Sequence, residues 1–432
     1  MHLISSQYLT AHPQGCRNRQ TSVQGVLSLQ SVGEPEASRD NNDHTCSERK
    51  ETNSMGPLKD IRVIEMAGLG AGPLCGMMLA DMGAEVLLID KPGRPSPEAL
   101  IHVDKIDPLN RSKRRVCLNL KTASHVTLLK EIIGLSDVLI ESYRPGVMER
   151  LGLGPDACLN SNPRLVYARL TGWGQTGPMS DKAGHDPNYV AATGALYHAG
   201  SSGAPPVTPP TLLGDASAAV LLVAGISAAL VSAAKTGHGQ VLDAAIAECT
   251  NYLTTYAKSF YQAGQLTDER GGAWLDGAAP WNATYVTSDG GYMVVAAIES
   301  KFYEALLTAL DLDEDPLFAN GGQWDKEAWP QQRAMVAARF AANSRAYWSE
   351  RFLNIDACVS PALTYGESHH HTQFAHREAH WVEEGQVFPA PAPRFSLTPL
   401  VATEKPKNSD INQYFIEIGV SESSISAWQS EA

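Results

Sequence analysis

The sequence lacks closely spaced cysteine pairs: its seven cysteines are scattered over 432 residues, and no two form a CxxC motif. An odd, dispersed set in a long chain is typical of reduced thiols in an intracellular compartment, and argues against a structural zinc site. The chain also lacks an excess of positive charge, since its formal net charge is −13. We therefore expect no general binding to nucleic acid.

Long apolar runs are also scarce, with one exception. Segment 216–234, ASAAVLLVAGISAALVSAA, carries no charge and approaches the length of a membrane span. Alanine, serine and glycine dominate it, and small residues suit a helix packed closely inside a large protein. We therefore predict a buried helix and no membrane span.

Residues 1–54 lack a periodic apolar pattern, and we expect a disordered N-terminal extension. No apolar core is long enough for a secretory signal. The absence of acidic residues from the first 33 positions, together with Arg17 and Arg19, is weakly typical of a mitochondrial transit peptide. Translation from Met55 is the alternative. The final residues, QSEA, are not a peroxisomal tripeptide of the SKL kind.

From Ile61 onward, short apolar strands alternate with helical segments, which predicts βαβ units and a parallel sheet. The fold class is therefore α/β, with a Rossmann-like large domain. The predicted strands are 61–66, 84–90, 137–141 and 164–170, and the predicted helices are 73–83, 123–134 and 155–161.

The second half has a different pattern. Segment 239–260 is expected to begin as a short strand and to continue as one long helix. Segment 283–298 predicts a hairpin around Ser288–Gly291, and a helix over 300–310 follows it. We predict a large domain over 55–245, linker helices over 246–284, a small α+β domain over 285–370, and a return segment over 371–432 that packs on the large domain.

A glycine-rich turn, Gly70-x-Gly72-x-x-x-Gly76, follows the first strand, and Asp90 ends the second. In a dinucleotide-binding domain a carboxylate at the position of Asp90 would bind ribose. The spacing departs from G-x-G-x-x-G, however, and no nicotinamide site follows. We therefore favour a tight strand–helix turn that needs glycine.

A run of histidines, His369–His371, precedes His376 and His380, whose spacing would place both on one helical face. We favour a solvated loop over a metal site, because the segment is polar and no Asp or Cys completes a ligand set.

Two groups of cations stand near predicted strands of this acidic chain. Cations at the carboxyl ends of parallel strands can hold a phosphate-bearing ligand, although an ordinary solvated basic face explains them equally well. The first group is Arg111, Lys113, Arg114 and Arg115, and the second is Arg144 and Arg150.

The stretch AGHDPNY, residues 183–189, places His185 beside Asp186 and ahead of Pro187. Glycine, aspartate and proline in this order are typical of a turn, and Asp before Pro is a common start of a helix. From these residues alone, a turn and an acid–base site are both open interpretations.

Several long motifs occur in order over about residues 56–400, and through them the chain resembles the class III CoA-transferase family. Within that family it resembles the branch of racemases that act on 2-methylacyl-CoA. The motifs are IRVIEMAGLGAGPLCGMMLADMGAEVLLIDKPG, NRSKRR…LNLK, SYRPGVMERLGLGP, RLTGWGQTGP…AGHDPNY, TLLGDASAA with GQVLDAA, and LDGAAPWNATYVTSDGGYMVVAAIESKFYEALL.

This resemblance implies that two copies of a two-domain chain interlock into a homodimer, with the active site between the large domain of one copy and the small domain of the other. It implies an acyl-CoA substrate, a role in fatty-acid and lipid metabolism, no metal and no cofactor apart from the substrate's CoA. It also implies a mitochondrial or peroxisomal location, with the cytoplasm as the alternative.

By the same resemblance, His185 and Asp215 are the two acid–base groups, and Glu299 orients the histidine. Lys91 stands where these racemases usually carry arginine, and Thr211 where asparagine is common. The residues expected to contact CoA are Lys91, Leu118, Asn119, Leu120, Lys121, Arg144, Arg150, Gly184, Asp186 and Tyr189.

The chemistry of inversion explains why two such groups are needed. Inverting the carbon next to a thioester requires proton removal from one face and proton delivery to the other, and one base cannot reach both faces without a large movement. A histidine ordinarily titrates near neutral pH, and partial burial can raise the pKa of an aspartate towards that range.

Two other functions compete with the racemase. A CoA-transferase of the same family would use an aspartate nucleophile, and Asp186 stands at about the matching position. A non-enzymatic CoA-binding protein on the same fold would not need His185, Asp215 and Glu299.

Overall fold

The computed structural model describes residues 56–93, 107–319, 322–400, 402 and 410–431. The predicted disordered extension, 1–54, lies outside the described residues. Within them, a six-stranded parallel sheet has an apolar cluster on each face, and a three-stranded antiparallel sheet packs against a third apolar cluster.

The parallel sheet has the strand order β3-β2-β1-β4-β5-β6. Its central strands are mostly apolar and are buried on both faces, as expected for a parallel sheet covered by helices. The predicted α/β class is therefore confirmed. The strands are β1 Arg62–Met66, β2 Glu85–Asp90, β3 Arg114–Cys117, β4 Val138–Glu141, β5 Val166–Thr171 and β6 Gln240–Ala245.

Helices cover both faces of this sheet. On one face, α1 and α6 bury small and apolar side chains against the strands, and on the other face α2 does so. The helices of this part are α1 Ala71–Asp81, α2 Ala123–Gly134, α3 Val147–Arg150, α4 Pro155–Ser161, α5 Asp186–Ala191, α6 Ser217–Thr236, α7 Ile246–Leu253 and α8 Thr255–Gln262.

The third apolar cluster lies around the antiparallel sheet β7-β8-β9, and the predicted hairpin forms the first two strands of that sheet. Its largest fully buried side chain is Trp281. The elements are β7 Asn282–Val286, β8 Tyr292–Ala296, α9 Ser300–Ala309, α10 Trp329–Ala341, α11 Arg345–Phe352, β9 Val359–Pro361, α12 Tyr365–Ser368, α13 Thr372–His376, β10 His380–Glu383 and β11 Gln386–Pro389.

The last two helices, α14 Ile411–Ile418 and α15 Glu422–Gln429, return to the parallel sheet. Phe415 and Trp428 are buried in the same apolar cluster as α2. Glu131 in α2 also accepts a hydrogen bond of 2.7 Å from the backbone N–H of Ser421.

The apolar helix α6 is long enough to cross a membrane by length and composition, which by itself is weak evidence. Its small residues Ala218, Ala219 and Ala229 are buried against the sheet and α1, where a core helix would place them. Val220 and Val231, on another side, are more than half exposed, so the helix is buried along one face rather than all round.

The prediction of one long helix over the end of segment 239–260 was wrong. Helix α7 ends at Leu253 and helix α8 begins at Thr255, because Thr254 between them adopts a turn. The two helices differ in burial: α7 packs on the core with Ile246 and Thr250 buried, whereas α8 has no buried residue.

The predicted solvated histidine loop is confirmed for His369–His371, which form a largely exposed turn, but not for His376 and His380, which lie in regular elements. His369–His371 lie between two short helices, His376 ends α13, and His380 begins β10. The rings of His369 and His380 are 5.1 Å apart. Among the described residues no group of three His, Cys, Asp or Glu side chains is arranged to hold a metal ion.

Two members of the first cation group, Arg111 and Lys113, do not face a ligand at the carboxyl end of the sheet. Arg111 and Lys113 precede β3 and therefore lie at its amino end, and both are buried. Arg111 donates to Asp81 in α1, and the Lys113 ammonium lies 2.7 Å from Glu65 in β1. These side chains fix α1 against the sheet, so their role is structural.

Gly76 leaves room for the buried Lys113–Glu65 pair, since a Cβ at position 76 would overlap the Glu65 carboxylate. Burial raises the pKa of Glu65, and the Lys113 ammonium opposes that rise. Gly76→Ala must displace a buried charge, so we expect it to lower the free energy of unfolding by about 3 kcal/mol in urea denaturation.

Gly134→Ala is the matched control, because a Cβ at this helical glycine would meet no atom within 4 Å. It should leave stability unchanged or raise it by up to about 1 kcal/mol. Equal stability of the two variants would contradict the packing role of Gly76.

Candidate active site

The strand order reverses between β1 and β4, and a crevice outside the carboxyl ends of the strands is expected there. The loops after β1, β4 and β5 form this crevice. Gly72, in the first turn of α1, approaches the β4 loop so closely that a Cβ would lie 2.7 Å from the Ser142 hydroxyl. Arg169 in β5 and Glu141 in β4, 2.7 Å apart, tie the neighbouring strand ends together.

A polar cavity of about 310 Å³ occupies the crevice. Arg144 and Lys182 bring positive charge to its wall, and His185 and Asp215 border it. Ser142 also lines the cavity, and its buried hydroxyl has no hydrogen-bond partner among the residues that the structure describes. Ser142 directly follows β4, at the carboxyl end of a strand in the parallel sheet. This position is the one sequence signal that could have identified Ser142 as a residue of the site.

His185 lies at the start of α5, which confirms the helix start predicted from Asp186-Pro187. Its backbone is extended, with φ −132°, and its N–H donates to the Asn188 side-chain oxygen at 3.0 Å. Asn188 in turn donates its backbone N–H to the His185 carbonyl at 2.8 Å. The backbone thus forms the cap while the exposed imidazole projects from a fixed helix terminus.

Asp186 is buried, and its carboxylate is committed to backbone groups. Oδ2 accepts the N–H of Gly214 at 2.9 Å and the N–H of Asp215 at 2.8 Å. A Cβ at Gly214 would lie 2.5 Å from the same oxygen, so this position has no room for a side chain. Asp186 therefore joins the α5 terminus to the turn that carries Asp215.

Asp215 lies in a π-helical turn, Leu212–Ala216, that precedes α6. Burial raises the pKa of its carboxyl to about 6, the negative charge of Asp186 adds to the rise, and His185 opposes it. An aspartate with this pKa can both accept and donate a proton near neutral pH.

Gly70 shows why the glycine turn does not require a dinucleotide. Its φ of +70° favours glycine, and a Cβ there would overlap the Asp215 carboxylate. Gly70, Gly72 and Gly76 therefore make room for Asp215, Ser142 and Glu65 respectively. This agrees with the preferred interpretation of the motif as a structural turn.

Thr211 begins the turn that carries Asp215 with a φ of +58°, a conformation that strains a β-branched residue. Asparagine tolerates this region better, so Thr211→Asn should raise the free energy of unfolding by about 1 kcal/mol in urea denaturation. Thr208→Asn is the control, because Thr208 does not have a positive φ. A gain at both positions would show that relief of strain is not the cause.

The structure distributes the predicted CoA contacts unevenly. Arg144, Gly184 and Tyr189 line the polar cavity. Lys91, just after β2, and Arg150, at the end of α3, are exposed and do not line this cavity. Asn119, Leu120 and Lys121 follow β3 at the same edge of the sheet.

Two of these residues have side chains that are engaged elsewhere. The Leu118 side chain is 1% exposed and packs in the core, which leaves only its backbone for a ligand. The Tyr189 ring is mostly buried between Gly172 and Gly184, edge-on to Trp173, and its hydroxyl donates to the Gly184 carbonyl. Tyr189 therefore supports the loop that carries His185.

Glu299 is exposed at the N-cap of α9, beside the antiparallel sheet. It borders neither the polar cavity nor the apolar cavity that lies on the other side of His185. The structure thus brings His185, Asp215 and Asp186 together, and it does not bring Glu299 to them within one chain.

The chain belongs to CoA-transferase family III, whose model matches residues 58–410, and it is an enzyme of that family. Alpha-methylacyl-CoA racemase of Mus musculus is 39% identical to it over 364 residues, 84% of this chain and 92% of that protein. Alpha-methylacyl-CoA racemase of Homo sapiens is 41% identical over 350 residues, 81% and 89% respectively.

A solved structure also resembles the chain. A CAIB/BAIF family protein from Brucella suis has a TM-score of 0.71 and 25% sequence identity, and the alignment covers 84% of this chain and 99% of that one. The family expected from the sequence motifs is confirmed.

Proposed function

We propose that this enzyme interconverts the (R) and (S) epimers of 2-methylacyl-CoA thioesters. The observation that carries the proposal is the placement of His185 and Asp215: they border the same two cavities, and the pKa of Asp215 is raised to about 6. Two acid–base side chains beside the same cavities, with the pKa of Asp215 raised towards neutral pH, suit proton removal and return better than they suit simple binding.

In one direction, the Asp215 carboxylate takes the α-proton, and the electron pair of that C–H bond moves into the thioester to form an enolate. The His185 imidazolium then delivers its proton to the opposite face of the same carbon. The reverse direction exchanges these roles, so the two groups together hold one proton before each turnover. We expect the backbone N–H of Asp186, the first residue of α5, to donate to the enolate oxygen.

We expect the second carboxylate, Glu299, to come from another copy of the chain. Within its own chain it borders neither cavity, which supports the interlocked homodimer of the family. A carboxylate beside His185 would fix the imidazole and stabilise its cation. Arg144 and Lys182 would attract the phosphates of CoA, and no cofactor beyond the substrate's CoA is required.

The geometry of Asp186 favours the racemase over the rival transferase. A nucleophilic carboxylate must reach the thioester carbonyl, yet Asp186 is 5% exposed and one of its oxygens accepts two backbone N–H groups. Its position instead suits a residue that holds the Asp215 turn and adds negative charge beside it.

The pH profile of an Asp186 variant distinguishes a nucleophilic Asp186 from an Asp186 that holds the Asp215 turn. Below about pH 6 the Asp215 carboxylate becomes protonated and cannot take the α-proton, so kcat/KM should fall tenfold per pH unit in the direction that uses Asp215 as the base. Asp186→Asn keeps an oxygen acceptor but removes the negative charge that, after burial, adds to the rise in the pKa of Asp215. We expect this acid limb to move to lower pH, with kcat reduced by about tenfold or less.

Asp156→Asn, an exposed substitution in α4, is the control and should leave the profile unchanged. An Asp186→Asn enzyme without measurable activity at any pH, and with normal folding, would support the nucleophile instead.

The proposed function is tested by incubating the purified full chain with (S)-2-methylacyl-CoA, with and without an added carboxylic acid. Epimerisation that does not depend on the added acid supports the proposal. Transfer of CoA to the acid without epimerisation would refute it and establish the transferase.

A further inference from the structure

The π-helical turn that carries Asp215 pairs its backbone differently from an α-helix. In an α-helix the N–H of Ser217 would donate to the Leu213 carbonyl, four residues back. Here that N–H donates to the Gly214 carbonyl, three residues back. The turn therefore deprives the Leu213 carbonyl of its ordinary backbone partner, and turns of this kind occur often at functional sites.

Two side-chain hydroxyls bind the Leu213 carbonyl instead. Ser217 donates its hydroxyl from the start of α6, and Thr250 donates its hydroxyl from α7 over 3.2 Å. The Ser217 hydroxyl also lies 3.1 Å from the Gly214 carbonyl, and its one proton can serve only one of these acceptors at a time. Thr250 is therefore the donor that remains when Ser217 turns to Gly214.

The hydroxyl of Thr250 makes a tertiary contact rather than a local one. A threonine hydroxyl inside a helix can bond the carbonyl four residues back, but that of Thr250 reaches a residue 37 positions away in the sequence. Thr250 is buried, and α7 follows β6 without a loop, so the parallel sheet fixes its position. The N–H of Ala247, in the first turn of α7, also donates to the Gly172 carbonyl at 3.1 Å.

Asp186 and Thr250 hold the turn from two sides. The buried Asp186 carboxylate, in α5, accepts the N–H groups of Gly214 and Asp215. Thr250 binds the carbonyl that precedes them, and α7 packs against both α5 and the turn. The direction of the Asp215 side chain relative to His185 depends on these contacts.

We propose that Thr250, assisted by Ser217, is a positioning residue that holds Asp215 on its face of the α-carbon, opposite His185. The inference rests on the proposed function, since it concerns the geometry of that proton transfer. Thr250 borders neither the polar nor the apolar cavity, so it acts through the Leu213 carbonyl and the turn rather than on the substrate. A displacement of about 1 Å in an active site can lower a rate roughly 10²-fold.

Thr250→Val keeps the shape of the side chain and removes the hydroxyl. We expect kcat for inversion to fall about tenfold or more, with KM changed by less than about threefold, because the walls of both cavities are kept. In D₂O, α-proton exchange should persist in the epimer that His185 deprotonates, so the ratio of exchange to inversion should rise about tenfold. A general loss of structure would lower both rates together and leave their ratio unchanged.

Three further variants make this test specific. Thr250→Ser keeps a hydroxyl and should restore the wild-type ratio. Ser217→Ala removes the second hydroxyl from the same carbonyl, so it should also raise the ratio, and it replaces Thr250→Val if that variant does not fold. Thr287→Val is the matched control and should keep the wild-type ratio, because Thr287 is a buried threonine whose hydroxyl donates to Asp289 in the β7–β8 hairpin.

A measurement that needs no turnover is a ¹³C NMR titration of the Asp215 carboxyl, whose resonance is identified by its loss in Asp215→Asn. Burial raises the pKa of this carboxyl to about 6, and the charge of Asp186 adds to the rise. If the turn moves outward in Thr250→Val, the titration midpoint should fall towards the ordinary range of an aspartate. Thr250→Ser should keep the midpoint of the wild type.

The two proposals fail in different ways. A wild-type enzyme that does not epimerise would refute the proposed function, and the Asp215 midpoint would still decide the role of Thr250: a lower midpoint in Thr250→Val supports it, and an equal midpoint overturns it. Epimerisation by the wild type, with both the ratio and the midpoint unchanged in Thr250→Val, would overturn the positioning role alone.

Discussion

His185→Ala is expected to lower epimerisation of 2-methylacyl-CoA by roughly 10³-fold, the size of effect typical of a positioned acid–base group. The cap of α5 uses the His185 backbone and the Asn188 side chain, so the helix should form without the imidazole. The free energy of unfolding should therefore stay within about 0.5 kcal/mol of the wild-type value. Chiral separation of the thioesters measures the rate, and urea denaturation measures the stability.

His238→Ala is the matched control, because His238 is an exposed histidine in the turn between α6 and β6. It should retain full activity. Epimerisation by His185→Ala at a rate close to wild type would remove the histidine from the mechanism.

Asp215→Asn should also lower epimerisation by roughly 10³-fold, but it should leave a distinctive residual reaction. His185 can still remove and return a proton on its own face of the α-carbon. In D₂O, we therefore expect one epimer to exchange its α-proton without inversion, and the other epimer not to exchange. Mass spectrometry of the separated epimers measures the deuterium content of each and so shows which epimer exchanges its α-proton.

The control for this variant is Asp156→Asn, which should keep both exchange and inversion because position 156 is exposed in α4. Exchange of both epimers by Asp215→Asn at equal rates would contradict the assignment of Asp215 to one face.

The parts of the fold that could be predicted from sequence are those with local signals. Helix α2 and helix α4 have the predicted bounds, 123–134 and 155–161, and Pro155 marks the start of α4. The break at Thr254 has no such signal, since neither glycine nor proline stands nearby. It occurs where α7 leaves the packed core, which is a tertiary effect.

The candidate site was predictable to a different degree. The choice of His185 and Asp215 came from a resemblance between long motifs, because the local pattern around His185 fitted a turn equally well. The burial of Lys113 beside Glu65 could not be foreseen, since Glu65 is one residue of an ordinary strand and Gly76 one residue of an apolar helix. Nor did the prolines around Val207 reveal that their loop lines a cavity beside the acid–base pair.

The central claim is that two groups act on opposite faces of one carbon. The measurement that tests it most directly is the deuterium content of the inverted product during the first few per cent of reaction of (S)-2-methylacyl-CoA in D₂O. Two-base racemisation predicts one deuterium in nearly every inverted molecule and little in the remaining starting epimer. Inverted product that keeps its original α-proton, or an absence of inversion accompanied by CoA transfer, would contradict it.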